Sequence, residues 1–130
     1  MSNSEVRALK WANFIAGRKE FEARDRFLAA FKAGRISRIC DCGCNSFDIE
    51  LPEGKQVAPL TTPGSYGAVF EIEFRTDEED GTMEFVVLAN ADGHLAAVEV
   101  NYCANSFAVP DEPTLIEPPY HVWSSASMAA

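Results

Sequence analysis

Long apolar runs are missing from this chain. None approaches the ~20 residues that a membrane-spanning helix requires, and the opening Met1-Ser2-Asn3-Ser4-Glu5 has neither the basic nor the apolar region of a secretion signal. The expectation is a soluble, cytoplasmic protein with no membrane partner. Positive charge is scarce after residue 39, where two Lys/Arg stand against sixteen Asp/Glu. A body of that sign repels phosphate, so nucleic acid is not the expected partner. No serine sits in a Gly-x-Ser-x-Gly elbow, and the glycines compose neither a phosphate loop nor a dinucleotide fingerprint. Asp77-Glu78-Glu79-Asp80 lacks the alternating ligands of a calcium loop and reads as a charged turn. These absences favour a non-enzyme.

What is present suits one folded domain spanning residues 1–130. Hydrophobic residues make up 47%, with nine Phe, three Tyr and two Trp to fill a core. The formal charge of −9 is unevenly spread, because residues 1–39 carry nine Lys/Arg against four Asp/Glu. The cationic start can attract the acidic remainder, and a basic protein is the partner that the acidity matches. The plainer reading of the acidity is solubility.

Ser2 and Glu5 have capping-box spacing ahead of Ala8, Trp11 and Ile15, which recur at helical intervals until Gly17. A second amphipathic helix is predicted over residues 19–33. Phe21, Phe27, Leu28 and Phe31 form its apolar face, and Gly34 is its expected left-handed stop. These residues, 1–34, make a helical layer. The period then changes to two. Strands are predicted around Ile36 and Ile39, at residues 46–51, through Phe70, Ile72 and Phe74, over residues 83–89, and over residues 95–102 after the Asp92-Gly93 turn. Residues 52–65, with three prolines and two glycines, read as a surface connection. The fold class that follows is α+β: an N-terminal helical pair against a mostly antiparallel meander within residues 36–109. Residues 110–130 read as a Pro-rich tail. Four prolines make it a poor source of another central strand, and Tyr120-His121-Val122-Trp123 is its apolar latch.

The most unusual pattern is Cys40-Asp41-Cys42-Gly43-Cys44. Cys40, Cys42 and Cys44, with Cys103 as a fourth sulfur, are numerically sufficient for zinc. One-residue gaps are tighter than those of familiar zinc knuckles, and there is no Cys-x-x-Cys of the redox type. Reduced structural cysteines beside a glycine bend are the simpler expectation, zinc or thiol chemistry the alternative. His94 and His121 become bases or ligands only if folding brings them to cysteines or carboxylates.

The stretch Arg38-Ile39-Cys40-Asp41-Cys42-Gly43-Cys44-Asn45-Ser46-Phe47-Asp48-Ile49 follows Phe27-Leu28-Ala29-Ala30-Phe31. It precedes Asp92-Gly93-His94-Leu95 and Val98-Glu99-Val100, with Pro110-Asp111-Glu112-Pro113 as an acidic exit. In these features, over most of residues 20–113, the chain resembles a group of small uncharacterised bacterial proteins with a Cys-Gly-Cys-x-Ser segment. Asn45 stands where that pattern is associated with proline, and Val98 where leucine is common. The resemblance implies a helical start and a strand after the cysteines; it implies no catalytic role.

Glu71 and Glu73 share a strand face that Glu84 and Glu99 can reach from neighbouring strands. Catalytic carboxylates need an enclosed site, and the sequence points instead to an acidic, partner-facing surface. The leading expectation is therefore a small binding or accessory protein that contacts a basic protein through Glu71, Glu73, Glu84 and Glu99. A role like that of an immunity protein, capping a basic toxin surface, is its concrete form. An exposed sheet edge offers a route to a homodimer.

Overall fold

The computed structural model describes residues 3–40, 44–64 and 66–128. Two helices pack on one face of a six-stranded antiparallel sheet, the α+β arrangement that the two periodicities predict. Helix α1 spans Glu5–Ala16. Its N-cap is Ser4, whose hydroxyl accepts from Arg7 N–H at 3.2 Å. The capping-box residue Ser2 lies outside the described residues. Helix α2 spans Arg24–Ala33, later than its predicted start at residue 19. Residues 18–23 form turns instead, closed by Phe21 N–H to Arg18 C=O and Arg24 N–H to Phe21 C=O. The turns deliver Phe21 onto Phe70, with stacked rings 4.3 Å apart.

Gly34 ends α2 in an extended conformation, φ −83° and ψ −179°, and not in the left-handed one expected. Its requirement is space. A Cβ there would stand 2.7 Å from Ile49 Cγ2 and 3.0 Å from the Ala30 carbonyl oxygen, so only glycine lets the chain pass so close to the neighbouring strand.

The strands are β1 (Arg35–Ile39), β2 (Phe47–Glu50), β3 (Gly67–Arg75), β4 (Thr82–Ala89), β5 (Leu95–Tyr102) and β6 (Ile116–Ser124). Their order is β1-β2-β5-β4-β3-β6, so β3, β4 and β5 form the expected meander and β2 extends it. Alternation sorts the side chains as predicted: Phe70, Ile72 and Phe74 are fully buried, while Glu71 and Glu73 on the other face are half-buried. Trp11 and Phe14 of α1 meet Phe85, Phe14 also meets Phe74, and Phe31 of α2 meets Phe47. Thus the aromatic stripes of both helices close the core.

Two segments are more structured than their composition implies. The connection after β2 sends Leu60 and Thr61 into the interior, both fully buried. Leu60 and Thr61 N–H donate to the Gly93 carbonyl, and Thr61 bridges Met128. The Pro-rich end supplies β6, which pairs with β3 at the edge of the sheet. An edge strand needs bonds on only one side, which is why it can contain Pro118 and Pro119.

The cations of the start reach the acidic end. Arg7 binds Asp111 at 3.0 Å, Lys10 approaches Glu112 at 3.7 Å, and Arg18 binds Glu117 at 2.7 Å and Glu20 at 2.9 Å. Arg18 also lies over the rings of Phe14 and Phe74. These pairs fasten Asp111 and Glu112 to α1, and Glu117, at the start of β6, to Arg18, two places after the end of that helix.

Candidate functional site

The sheet face opposite the helices holds the carboxylates. The strand registers place Trp123, Glu71, Val86 and Glu99 in one row from β6 to β5, and His121, Glu73, Glu84 and Asn101 in the next. Of the expected set, Glu73 and Glu84 are direct cross-strand partners, whereas Val86 separates Glu71 from Glu99. Glu99 is exposed, and Glu71, Glu73 and Glu84 are half-buried.

Each of the three inner carboxylates has a neutral or titratable neighbour. Thr82 Oγ1 donates to Glu73 at 2.8 Å, Asn101 Nδ2 donates to Glu84 at 3.3 Å, and His121 Nε2 stands 3.2 Å from Glu71 Oε1. Burial pushes the Glu84 carboxyl above the ordinary range, and the charges of Glu73 and Glu71 push it further against the pull of the Asn101 amide. Tyr120 adds a phenol raised by burial and by its hydrogen bond with Glu73. His121, Tyr120 and Trp123 therefore rim the acidic rows. Their strand was expected to be a latch, and nothing in local composition reveals that it runs beside β3.

The cysteine segment opens a second place. The pairing of β2 with β5 covers only Phe47 with Val98 and Asp48 with Ala97. Beyond it lies a cavity of about 320 Å³, lined in part by Cys40, Cys44, Asp48, Glu99 and Asn101. The Sγ of Cys44 donates to the Sγ of Cys40 at 3.1 Å. Cys40 is disulfide-bonded, which departs from the expectation of reduced cysteines. Cys42 and the Gly43 bend lie outside the described residues. Cys103 is a free thiol that lines a different cavity beside the 79–82 turn. Among the described residues no group of three or more His, Cys, Asp or Glu side chains is placed to hold a metal ion.

Asn45 anchors this segment. It is fully buried, and with its amide oxygen turned toward α1 it accepts from Arg7 Nη2 and Trp11 Nε1, both at 3.0 Å. Arg7 also donates to the Val109 and Pro110 carbonyls at 2.9 and 3.0 Å. Asn3 Nδ2 donates to the Cys40 and Ser46 carbonyls, and Ser46 Oγ accepts from Val100 N–H. Arg7 went unnoticed in the sequence, although it lies one helical turn before Trp11 on the buried stripe. His94, the other candidate base, leaves its Nδ1 without a partner among the described residues, and no carboxylate or cysteine contact brings it into either site.

No family model, curated protein or solved structure matches the chain. No helix among the described residues is long and apolar enough to cross a membrane.

Proposed function

We propose that this chain is a small binding protein whose acidic sheet face docks a basic protein surface, as an immunity-like inhibitor would cap a cationic toxin. The observation that carries the reading is the Glu73 and Glu84 pair, two carboxylates opposed on neighbouring strands. Like charges so placed destabilise a sheet. An arriving Arg or Lys relieves the repulsion, so the face is poised for a cation. Trp123 and Tyr120, 41% and 50% exposed, supply aromatic area beside it, a composition common at protein interfaces. Glu99 extends the charge toward β5 and assists approach by long-range attraction.

The test is capture from lysate at low and high salt, comparing the native chain with one carrying Glu71→Gln, Glu73→Gln, Glu84→Gln and Glu99→Gln. A partner held by the native chain and lost by at least about tenfold with the variant, a difference of ~1.4 kcal/mol, supports the reading. Equal retention by both proteins, indifferent to salt, removes it.

A second reading, a thiol centre, is favoured by the contact between Cys44 and Cys40. The Cys44 thiolate attacks the Cys40 sulfur, a new bond joins these two sulfurs, and the previous partner of Cys40 leaves as a thiolate. No external oxidant is consumed. Alkylation of the native protein followed by peptide mass mapping tests it. A single, unexchanging population of alkylated cysteine argues against the exchange. The structural-zinc form, using Cys40, Cys42, Cys44 and Cys103, requires thiolates at all four positions. It predicts stoichiometric zinc by elemental analysis of protein purified without a metal-binding tag.

A further inference from the structure

The short pairing of β2 with β5 makes room beside the cysteines. Beyond Phe47 opposite Val98 and Asp48 opposite Ala97, Val100 N–H is taken by a side chain, the Ser46 hydroxyl, at 2.9 Å. The chain before Ser46 closes on itself. Cys40 N–H donates to the Ser46 carbonyl at 3.0 Å, and Asn3 Nδ2 bridges the Cys40 and Ser46 carbonyls at 3.1 and 2.8 Å. Both ends of the cysteine segment are thus pinned where Cys40 and Cys44 line the cavity of about 320 Å³. That volume lies within the range of small-molecule sites.

Three charges around this cavity are unspent. The registers that set Arg38 opposite Asp48, and Asp48 opposite Ala97, gather Arg38, Asp48 and Glu99 on one face of the sheet. All three line the cavity, and among the described residues none of them is in an ion pair. Two anions, one cation, a disulfide sulfur at Cys40 and a free thiol at Cys44 therefore surround one space. The complement of that set is a molecule with an ammonium, a carboxylate and a thiol. Its ammonium answers Asp48 and Glu99, its carboxylate forks onto the Arg38 guanidinium, and its sulfur is left to face Cys40.

We infer, on the thiol-exchange reading, that the cavity binds a small amino-acid thiol and delivers its sulfur to Cys40 as a mixed disulfide. The ligand thiolate attacks Cys40 Sγ. A bond forms between the two sulfurs as the bond from Cys40 to its present partner breaks, and that partner leaves as a thiolate. Cys44, whose Sγ is 3.1 Å from that of Cys40, then gives its proton to solvent and attacks the same sulfur, expelling the ligand thiolate. One disulfide is present before and after each step, so no oxidant or reductant is consumed.

Oxygen-free incubation of the full chain with L-cysteine, cysteamine, mercaptopropionate or mercaptoethanol, quenched in acid and read by peptide mass, tests the proposal. Cys44→Ser lacks the resolving sulfur. The adduct should accumulate at Cys40 in that variant and pass to a disulfide between Cys40 and Cys44 in the native chain. Per thiolate, L-cysteine should react fastest. Added to Cys44→Ser, either Arg38→Gln or the pair Asp48→Asn and Glu99→Gln should cut the advantage of L-cysteine over mercaptoethanol by about tenfold, as losing one charged hydrogen bond implies. Should these variants fail to fold by circular dichroism, the rate of disulfide formation between Cys40 and Cys44 in the native chain, ranked over the four thiols, decides. Equal rates per thiolate for all four overturn the binding site and leave the exchange reading standing. An adduct at a sulfur other than Cys40 overturns the site as well, and no reaction with any thiol removes both.

Discussion

Glu73 and Glu84 face each other directly across β3 and β4, and the Glu84 carboxyl is held above the ordinary carboxylate range. The sign of the pH effect follows. A carboxyl whose folded pKa exceeds its unfolded one contributes stability that is fully present below the unfolded value, 4.5. That contribution is lost as pH rises through the raised folded value. Glu84→Gln should therefore be more stable than the native chain at neutral pH, by roughly 0.2–1 kcal/mol for a like-charge cross-strand pair. The gain should shrink on acidification, measured by urea unfolding at several pH values. If the acidic face docks a cation, the same variant binds more weakly while folding better, a combination that a purely structural residue does not give.

Arg18 behaves in the opposite sense. Its guanidinium holds Glu20 below the usual range, and it also grips Glu117. The stability from Glu20 is present above its unfolded pKa and lost as pH falls through the lowered folded one. Arg18→Met keeps much of the apolar stem but leaves Glu20 without its cation. The expected cost is about 1–3 kcal/mol at neutral pH, from losing charged hydrogen bonds in a mostly buried place. The difference from the native chain should narrow in acid, read by the same unfolding series.

Asn45→Ala should destabilise the fold by about 1–3 kcal/mol, because it removes the buried acceptor of Trp11 Nε1 and Arg7 Nε. Asn45→Pro has no amide to replace the lost acceptor and should fare no better. Thermal unfolding of the two variants checks both statements.

Three glycines should rank by what surrounds them. Gly93 combines φ +84° with the Thr61 carbonyl oxygen 2.3 Å from the site of a Cβ, so Gly93→Ala should be the most damaging. Gly34→Ala meets Ile49 and Ala30 without a positive φ, and overpacking of this kind costs about 1–3 kcal/mol. Gly54, φ +86° with nothing within 4 Å, should bear alanine with only the backbone strain, about 1–2 kcal/mol. Denaturant midpoints of the three variants give the order directly.

Much of the fold was legible because period speaks locally. Phe70, Ile72 and Phe74 alternate with Glu71 and Glu73, and a half-buried strand is the structure that separates two such sets. Trp11, Ile15, Phe27 and Phe31 repeat at helical spacing and cover that strand. The candidate sites were less legible. Glu71, Glu73, Glu84 and Glu99 were recognisable as one-faced carboxylates, but which of them touch depends on register, which no single strand encodes. The role of Arg7 was missed because a charged residue on an apolar stripe is meaningful only when its buried acceptors are known.

Residues in sequence neighbourhoods thus determined the helices, five strands and the polarity of the sheet faces, since propensity and side-chain alternation act over a few residues. Tertiary structure alone decided that Leu60 is interior, that the Pro-rich end becomes β6, and that Cys44 meets Cys40. These outcomes depend on distant parts of the chain: Gly93 receives the 60–61 backbone, β3 lends β6 one side of its hydrogen bonding, and Asn3 and Arg7 hold the cysteine segment against α1. Short-range pattern cannot report them, because the energy of each lies in contacts between residues far apart along the chain.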